Sequence, residues 1–278
     1  MYKPLVRAGQ LLTLGLFSSL LTAAESPRIA IIIDDLGYHL KRGQRAVDLP
    51  AAVTLSILPH GPNSQALARR ASKRGKEIML HAPMSNIAGI PLDDGALTSD
   101  MNRQQLVAVL RQGLAALPDA IGVNNHMGSL LTQQAAPMHW LMAELSKQQL
   151  FFVDSRTSAD SLAFDIAQSY SLPSLKRDVF LDNQRDHAFI ESQFQQLLRI
   201  AKKRGWALGI GHPYPETLAV LEEYLPQLKQ QGVEVVTISA LLTPQYFVTT
   251  EQKFDLYEDL PINDHINQQG HSNSIDSD

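Results

Sequence analysis

The chain has 278 residues, no cysteine and a formal charge of −4. The lack of cysteine excludes a disulfide framework, thiolate metal ligands and a cysteine nucleophile. Charge sits at the ends: Lys3 and Arg7 near the start, and seven acids against one lysine over 244–278. The stretch between is close to neutral, without the basic face that nucleic-acid binding requires.

In chain order, the first element is a leader. Lys3 and Arg7 form a positive n-region, Leu11–Leu21 is apolar or small, and Thr22-Ala23-Ala24 offers small residues for cleavage after Ala24. The apolar run is shorter than the roughly 20 residues of a membrane-spanning helix. A cleaved signal peptide over 1–24 is therefore expected rather than an anchor. With no cysteine after it for lipid attachment, the mature protein is expected in the periplasm.

Residues 25–243 read as one domain, and 244–278 as an acidic, polar tail expected to be disordered. Within the domain, apolar runs predict strands over 28–33, 52–58, 77–80, 120–123, 150–153, 174–176, 207–210 and 234–238. Amphipathic stretches predict helices near 40–48, 63–74, 102–116, 133–147, 157–169, 187–204 and 215–231. Leu106, Val109, Leu110 and Leu114 show the helical period in 102–116, and Pro215 stands where proline favours a helix start. Residues 82–100 read as a long loop. Strand–helix alternation with apolar strands indicates an α/β fold with a parallel sheet, either a β/α barrel or a doubly wound sheet. Asp34-Asp35 follows the first strand where a dinucleotide-binding protein would carry its glycine-rich turn, which disfavours that function.

The polar residues sort by position. The first strand ends in Asp34-Asp35, the second in Pro59-His60, the third in His81 and the fourth in Asn124-Asn125-His126. The fifth ends in Asp154, Arg177-Asp178 follows the sixth, and Gly211-His212 ends the seventh. In a barrel these positions form the C-terminal rim, where active sites are built. His39, His139, His187, His265 and His271 fall on helices or in the tail and read as surface residues. Two adjacent buried carboxylates are costly unless a metal or cation accompanies them. One Asp with two or three His suits Zn2+ or another divalent first-row ion with an open position. A second Asp and a further His supply a base and an acid, the equipment of metal-assisted hydrolysis. A glycosidase needs carboxyls at least ~5 Å apart across a bond. Asp34 with Asp154 or Asp178 would serve, but the histidines would then have no task.

Ile-Ile-Asp-Asp-Leu-Gly at 32–37, His81, Asn-x-His-x-Gly-Ser at 124–129 and Ile-Gly-His-Pro at 210–213, in that order, resemble the divergent polysaccharide deacetylases. These are distant relatives of the carbohydrate esterases with the NodB-type fold, and the resemblance covers roughly 27–243. It implies a single distorted β/α barrel, often seven-stranded, and metal-dependent removal of acetyl groups from amino sugars. From the family motif Thr-Phe-Asp-Asp-Gly it implies Asp34 as the base and Asp35 as a metal ligand. His81 matches the first His of the second motif, but Ser85 stands where the second should be. In the third motif, Arg-x-Pro-x-Gly, Asn124 replaces the arginine and His126 the proline, so His126 is expected to supply the missing ligand. Asp154 resembles the Asp that tunes the catalytic histidine, and His212 the general acid. His60, Asn124, Asn125 and Asp178 are expected to line the substrate, an acetylated envelope polysaccharide or peptidoglycan fragment. The alternative is a non-catalytic glycan-binding or interaction protein on a degenerate deacetylase fold.

Overall fold

The computed structural model describes residues 26–246, so the expected leader and the residues beyond Tyr246 lie outside the described residues. Strands and helices alternate. The first half holds β1 (Arg28–Leu36), α1 (Leu40–Val47), β2 (Thr54–Ile57), α2 (Ser64–Lys73), β3 (Glu77–Met84), α3 (Arg103–Ala116) and β4 (Ala120–Met127). The second half holds α4 (Ala135–Lys147), β5 (Phe151–Asp154), α5 (Ala163–Ser169), β6 (Ser174–Lys176), β7 (Val179–Phe180), α6 (His187–Arg204), β8 (Trp206–Gly211), α7 (Pro215–Tyr224), β9 (Glu234–Val235) and α8 (Ile238–Tyr246). No described helix is long and apolar enough to cross a membrane.

The strand order is β6-β5-β4-β3-β2-β1-β8-β7, and every pair is parallel. β9 pairs with the first two residues of β1, below the point where β2 takes over that edge. β6 and β7 end the path, yet only Arg177 and Asp178 separate them in sequence. Three Cα steps reach roughly 11 Å, so the sheet must curl until its two ends nearly meet. The result is an α/β barrel-like sheet with an unpaired seam between β6 and β7. The path carries eight strands where the resemblance implied seven.

Alternation divides the core into two layers. Ile29, Ile31 and Ile33 pack outward under the helices with Leu55, Leu80 and Phe152. Ala30 and Ile32 pack inward with Met79, Val153, Leu208 and Ile210. Ile238, Leu241 and Leu242 of α8 join the inward group and plug the end of the barrel opposite the rim. The sequence expectation ran a strand through Ile238. Instead the buried Glu77 carboxylate accepts the Ile238 and Ser239 amides at 2.9 and 3.2 Å, satisfying the free N–H groups of a helix start. α5 begins at Ala163 rather than 157 because Asp154 holds the preceding segment in a loop, accepting the Arg156 amide at 2.8 Å and the Ser161 hydroxyl at 2.8 Å. β7, two residues long, is too short to show a period and was not expected.

Candidate metal centre

The inward layer determines what reaches the rim. Ala30 and Ile32 point inward, so Asp34, two residues on, does too. It is 3 % exposed and accepts from the Asn124 side-chain amide at 2.8 Å. Asp35 would face outward in a regular strand. However, β1 advances three residues from Ile33 to Leu36 while β2 advances two, from Leu55 to Ile57. This bulge, with Asp35 at φ 56°, re-aims its side chain to the rim beside Asp34. Met127, which ends β4, and Arg156, after β5, also have positive φ at this end of the barrel, while Gln149 and Ser171 have it before β5 and β6.

Inward alternation places His81 next after Met79 on β3, and Asn124 and His126 on β4 after the outward Val123. His81 Nε2 lies 3.0 Å from Asp35 Oδ1, and His126 Nδ1 lies 2.8 Å from the same oxygen and 3.1 Å from His81 Nε2. Among the described residues, Asp35, His81 and His126 form the group able to hold a metal ion. Tetrahedral zinc ligands at roughly 2.0–2.2 Å lie roughly 3.4 Å apart, so the spacing fits. The proton positions fit as well. Asn124 Oδ1 accepts from Ser56 Oγ at 2.6 Å while its amide nitrogen donates to Asp34, so it receives the Nδ1–H of His81 at 2.8 Å. His81 then turns the lone pair of Nε2 toward Asp35. Three electron-rich atoms converge, and only a proton on one ring or a cation neutralises them. Burial opposes the charged form of His81, but Asp34 and Asp35 raise its pKa above the ordinary value. Burial likewise works against ionised Asp35, but without a metal a proton on either ring can point at its oxygen, and these contacts with His126 and His81 and the charges of His81 and His212 hold it far below the usual carboxylate range.

His212 follows β8, with Nε2 3.7 Å from Asp35 Oδ2. Its Nδ1 bonds Asp182 Oδ1 at 2.9 Å. The other Asp182 oxygen accepts the His212 amide at 2.6 Å and the Thr217 hydroxyl at 2.6 Å. Burial disfavours the imidazolium, but Asp182, Asp35 and Asp34 outweigh it and raise the pKa to about 9. The rings of Phe180 and Tyr214 each lie with their centroids 5.4 Å from that of His212.

The structure thus brings Asp34, Asp35, His81, Asn124, His126 and His212 together. It does not bring Asp154 to His212. Phe151 and Val153 point inward, so Asp154 points outward and holds the loop after β5; Asp182 takes the position expected of it. Ser85 is buried and accepts the Ser99 amide at 3.2 Å, which anchors the β3–α3 loop. Asp178 lies lower on the barrel, accepting the Leu208 amide at 2.8 Å and pairing with Arg204. Asn125 faces away from the centre and accepts the Ser155 amide at 2.9 Å. His60 is exposed and its ring lies against Gly95 in the β3–α3 loop. Asp182 and Asp93, whose Oδ2 lies 3.0 Å from His126 Nε2, were missed. Asp182 had a signal, since Val179 and Leu181 alternate outward around Phe180. Asp93, in a loop without a period, had none beyond its acidity.

A model of the divergent polysaccharide deacetylases matches residues 31–242. An uncharacterized Haemophilus influenzae protein is 34% identical over 234 residues, covering 84% of this chain and 83% of that one. The Escherichia coli K12 protein YibQ, also uncharacterized, is 33% identical over 241 residues, covering 85% and 75%. The crystal structure of an uncharacterized Agrobacterium tumefaciens protein matches with TM-score 0.75 at 28% identity, covering 79% of this chain and 91% of that one.

Proposed function

The chain belongs to the divergent polysaccharide deacetylase family, and from that premise we propose that it is a metal-dependent hydrolase removing acetyl groups from an envelope polysaccharide. The observation that carries this reading is the division of labour between adjacent carboxylates. Asp35 meets two imidazoles, while Asp34 is held apart by Asn124.

Asp35, His81 and His126 would hold the ion, for which Zn2+ is the best match to a one-carboxylate, two-imidazole set. Bound there, it would polarise the acyl oxygen and favour deprotonated water. Asp34 takes the proton of the attacking water as a bond forms between its oxygen and the acyl carbon. The Asn124 amide orients Asp34 through one oxygen. His212, whose pKa, despite burial, the hydrogen bond to Asp182 raises, gives the Nε2 proton to the departing nitrogen or oxygen as its bond to the acyl carbon breaks. Acetate and the free amine or hydroxyl leave. Asp182 fixes His212 with Nε2–H turned toward Asp35, and Phe180 and Tyr214 limit the ring's rotation. The leader reading and an envelope substrate, an acetylated glycan or peptidoglycan fragment, together support a periplasmic location.

Asn124 at the family's arginine position favours a second reading, a glycan-binding protein without turnover. The test measures acetate release from acetylated glycan by zinc-loaded protein, alongside metal content. Asp34→Asn is expected to keep its metal and lose release, whereas His126→Ala loses both. Bound zinc with no release from acetylated envelope glycans by the wild type would favour the binding protein.

A further inference from the structure

We infer that Asp93 is a positioning residue for this centre, holding His126 in the tautomer that leaves Nδ1 free to bind a metal. The inference rests on the proposed metal site and names what builds its unusual member. A neutral imidazole carries one N–H, and a ligating nitrogen must be the other one. An ionised carboxylate only accepts hydrogen bonds. Asp35 Oδ1 lies 2.8 Å from Nδ1, so without a metal the two carboxylates compete for the ring proton; once a cation takes the Nδ1 lone pair beside Asp35 and His81, Asp93 Oδ2, 3.0 Å from Nε2, receives the proton there. The two imidazoles thus present opposite nitrogens. His81 offers Nε2 because Asn124 takes its Nδ1–H, and His126 offers Nδ1 because Asp93 takes its Nε2–H.

Asp93 is itself held. Its other oxygen accepts the Tyr38 hydroxyl, whose pKa that hydrogen bond raises to about 12. Tyr38 stands three residues after Asp35. Asp35, His126, Asp93 and Tyr38 therefore form a chain of contacts that links the end of β1, β4, the β3–α3 loop and the turn after β1. The β3–α3 loop that carries Asp93 is tied down independently. Leu97 donates its amide to Pro83 at 2.8 Å, Ser85 donates to Leu97 at 3.0 Å, and the Asn86 side chain pins Ile90 through both its amide and its carbonyl at 2.9 Å. The carboxylate is thus delivered by a braced loop, and its removal leaves the loop other anchors.

The test uses the full mature domain in two independent readouts. Long-range 1H–15N correlation on the zinc-loaded protein is expected to show His126 as one form, protonated at Nε2 with Nδ1 bound. In Asp93→Ala that single form should give way to a mixture. Competition for Zn2+ against a chromophoric chelator is expected to show a 10- to 100-fold weaker Kd for Asp93→Ala, about the usual cost of losing such a partner. Asp94→Asn, which removes a neighbouring charge and leaves the Asp93–His126 pair intact, should stay within about twofold of wild type by the same scale. Asp93→Ser replaces the alanine variant if that one fails to fold. An unchanged tautomer, or a Kd equal to wild type, overturns the role of Asp93. An unchanged Kd in His126→Ala instead removes His126 from the metal site, and the tautomer measurement still decides what Asp93 does.

Discussion

Replacing Asp182 with Asn should separate the partner of His212 from the look-alike suggested by sequence. His212 has a pKa near 9 against an ordinary 6.5, although burial pulls it down. That difference corresponds to about 3 kcal/mol favouring the imidazolium, at about 1.4 kcal/mol per pH unit. Asp182 is in direct hydrogen-bond contact, while Asp35 and Asp34 act through space, so Asp182 carries the largest share. An opposite charge at this range contributes roughly one to three pH units. Asp182→Asn should therefore lower the pKa by about one to two, leaving the rest to Asp35 and Asp34. Because His212 must be protonated to act as an acid, activity falls as pH rises through its pKa. The variant's falling limb in kcat/KM should move toward acid as well. A raised folded pKa also stabilises the fold fully below the unfolded pKa and loses that contribution as pH rises through about 9, so the variant's alkaline stability loss should begin earlier. The assay is an NMR titration of the His212 ring in metal-free protein, paired with a pH–rate profile of zinc-loaded protein. Asp154→Asn is the control and should move neither limb. A normal His212 pKa in Asp154→Asn, or an unshifted one in Asp182→Asn, would refute the assignment.

Other outcomes follow from the same contacts. Glu77→Ala strips the acceptor from two buried amides at the start of α8 and from the Thr54 hydroxyl, and should cost about 2–4 kcal/mol in urea unfolding, Glu77→Gln less. Asn124→Ala frees Asp34 and the His81 tautomer together, so kcat should fall about 10- to 100-fold and zinc affinity should weaken as well, measured by acetate release and chelator competition. Gly37→Ala places a methyl 2.5 Å from Ser64 Oγ at a φ of 138°, a conformation alanine resists, and should lower the melting temperature by several degrees.

Legibility in the sequence followed periodicity. β1, β3, β4 and β8 announce themselves by apolar runs that end in polar residues, and those ends are where the centre lies. β7 has only two residues, so Asp182 had no strand to end and Asp154, at the end of a plain strand, took its place in the reading. Alternation already contained the correction: Phe151 and Val153 share the inner face, which puts Asp154 on the other. His60 and Asp178 show the opposite limit. Each stands beside a strand end, but one is exposed against Gly95 and the other is engaged by Arg204, and neither fact leaves a mark on the sequence.

Residue type and order alone determined the α/β class and the family and pointed to Asp34, Asp35, His81, Asn124, His126 and His212, because strand period and motif spacing are local properties. Only the tertiary structure decided which atoms face which. A bulge turns Asp35 back beside Asp34, parallel pairing of β8 with β1 and of β7 with β8 carries their ends to the same rim, and a loop outside any periodic element sets Asp93 on His126. Those are long-range contacts, fixed by packing between segments far apart in the chain. For that reason the Asp34-Asp35 pair and its candidate partners could be named from sequence, while the atoms through which they meet could not.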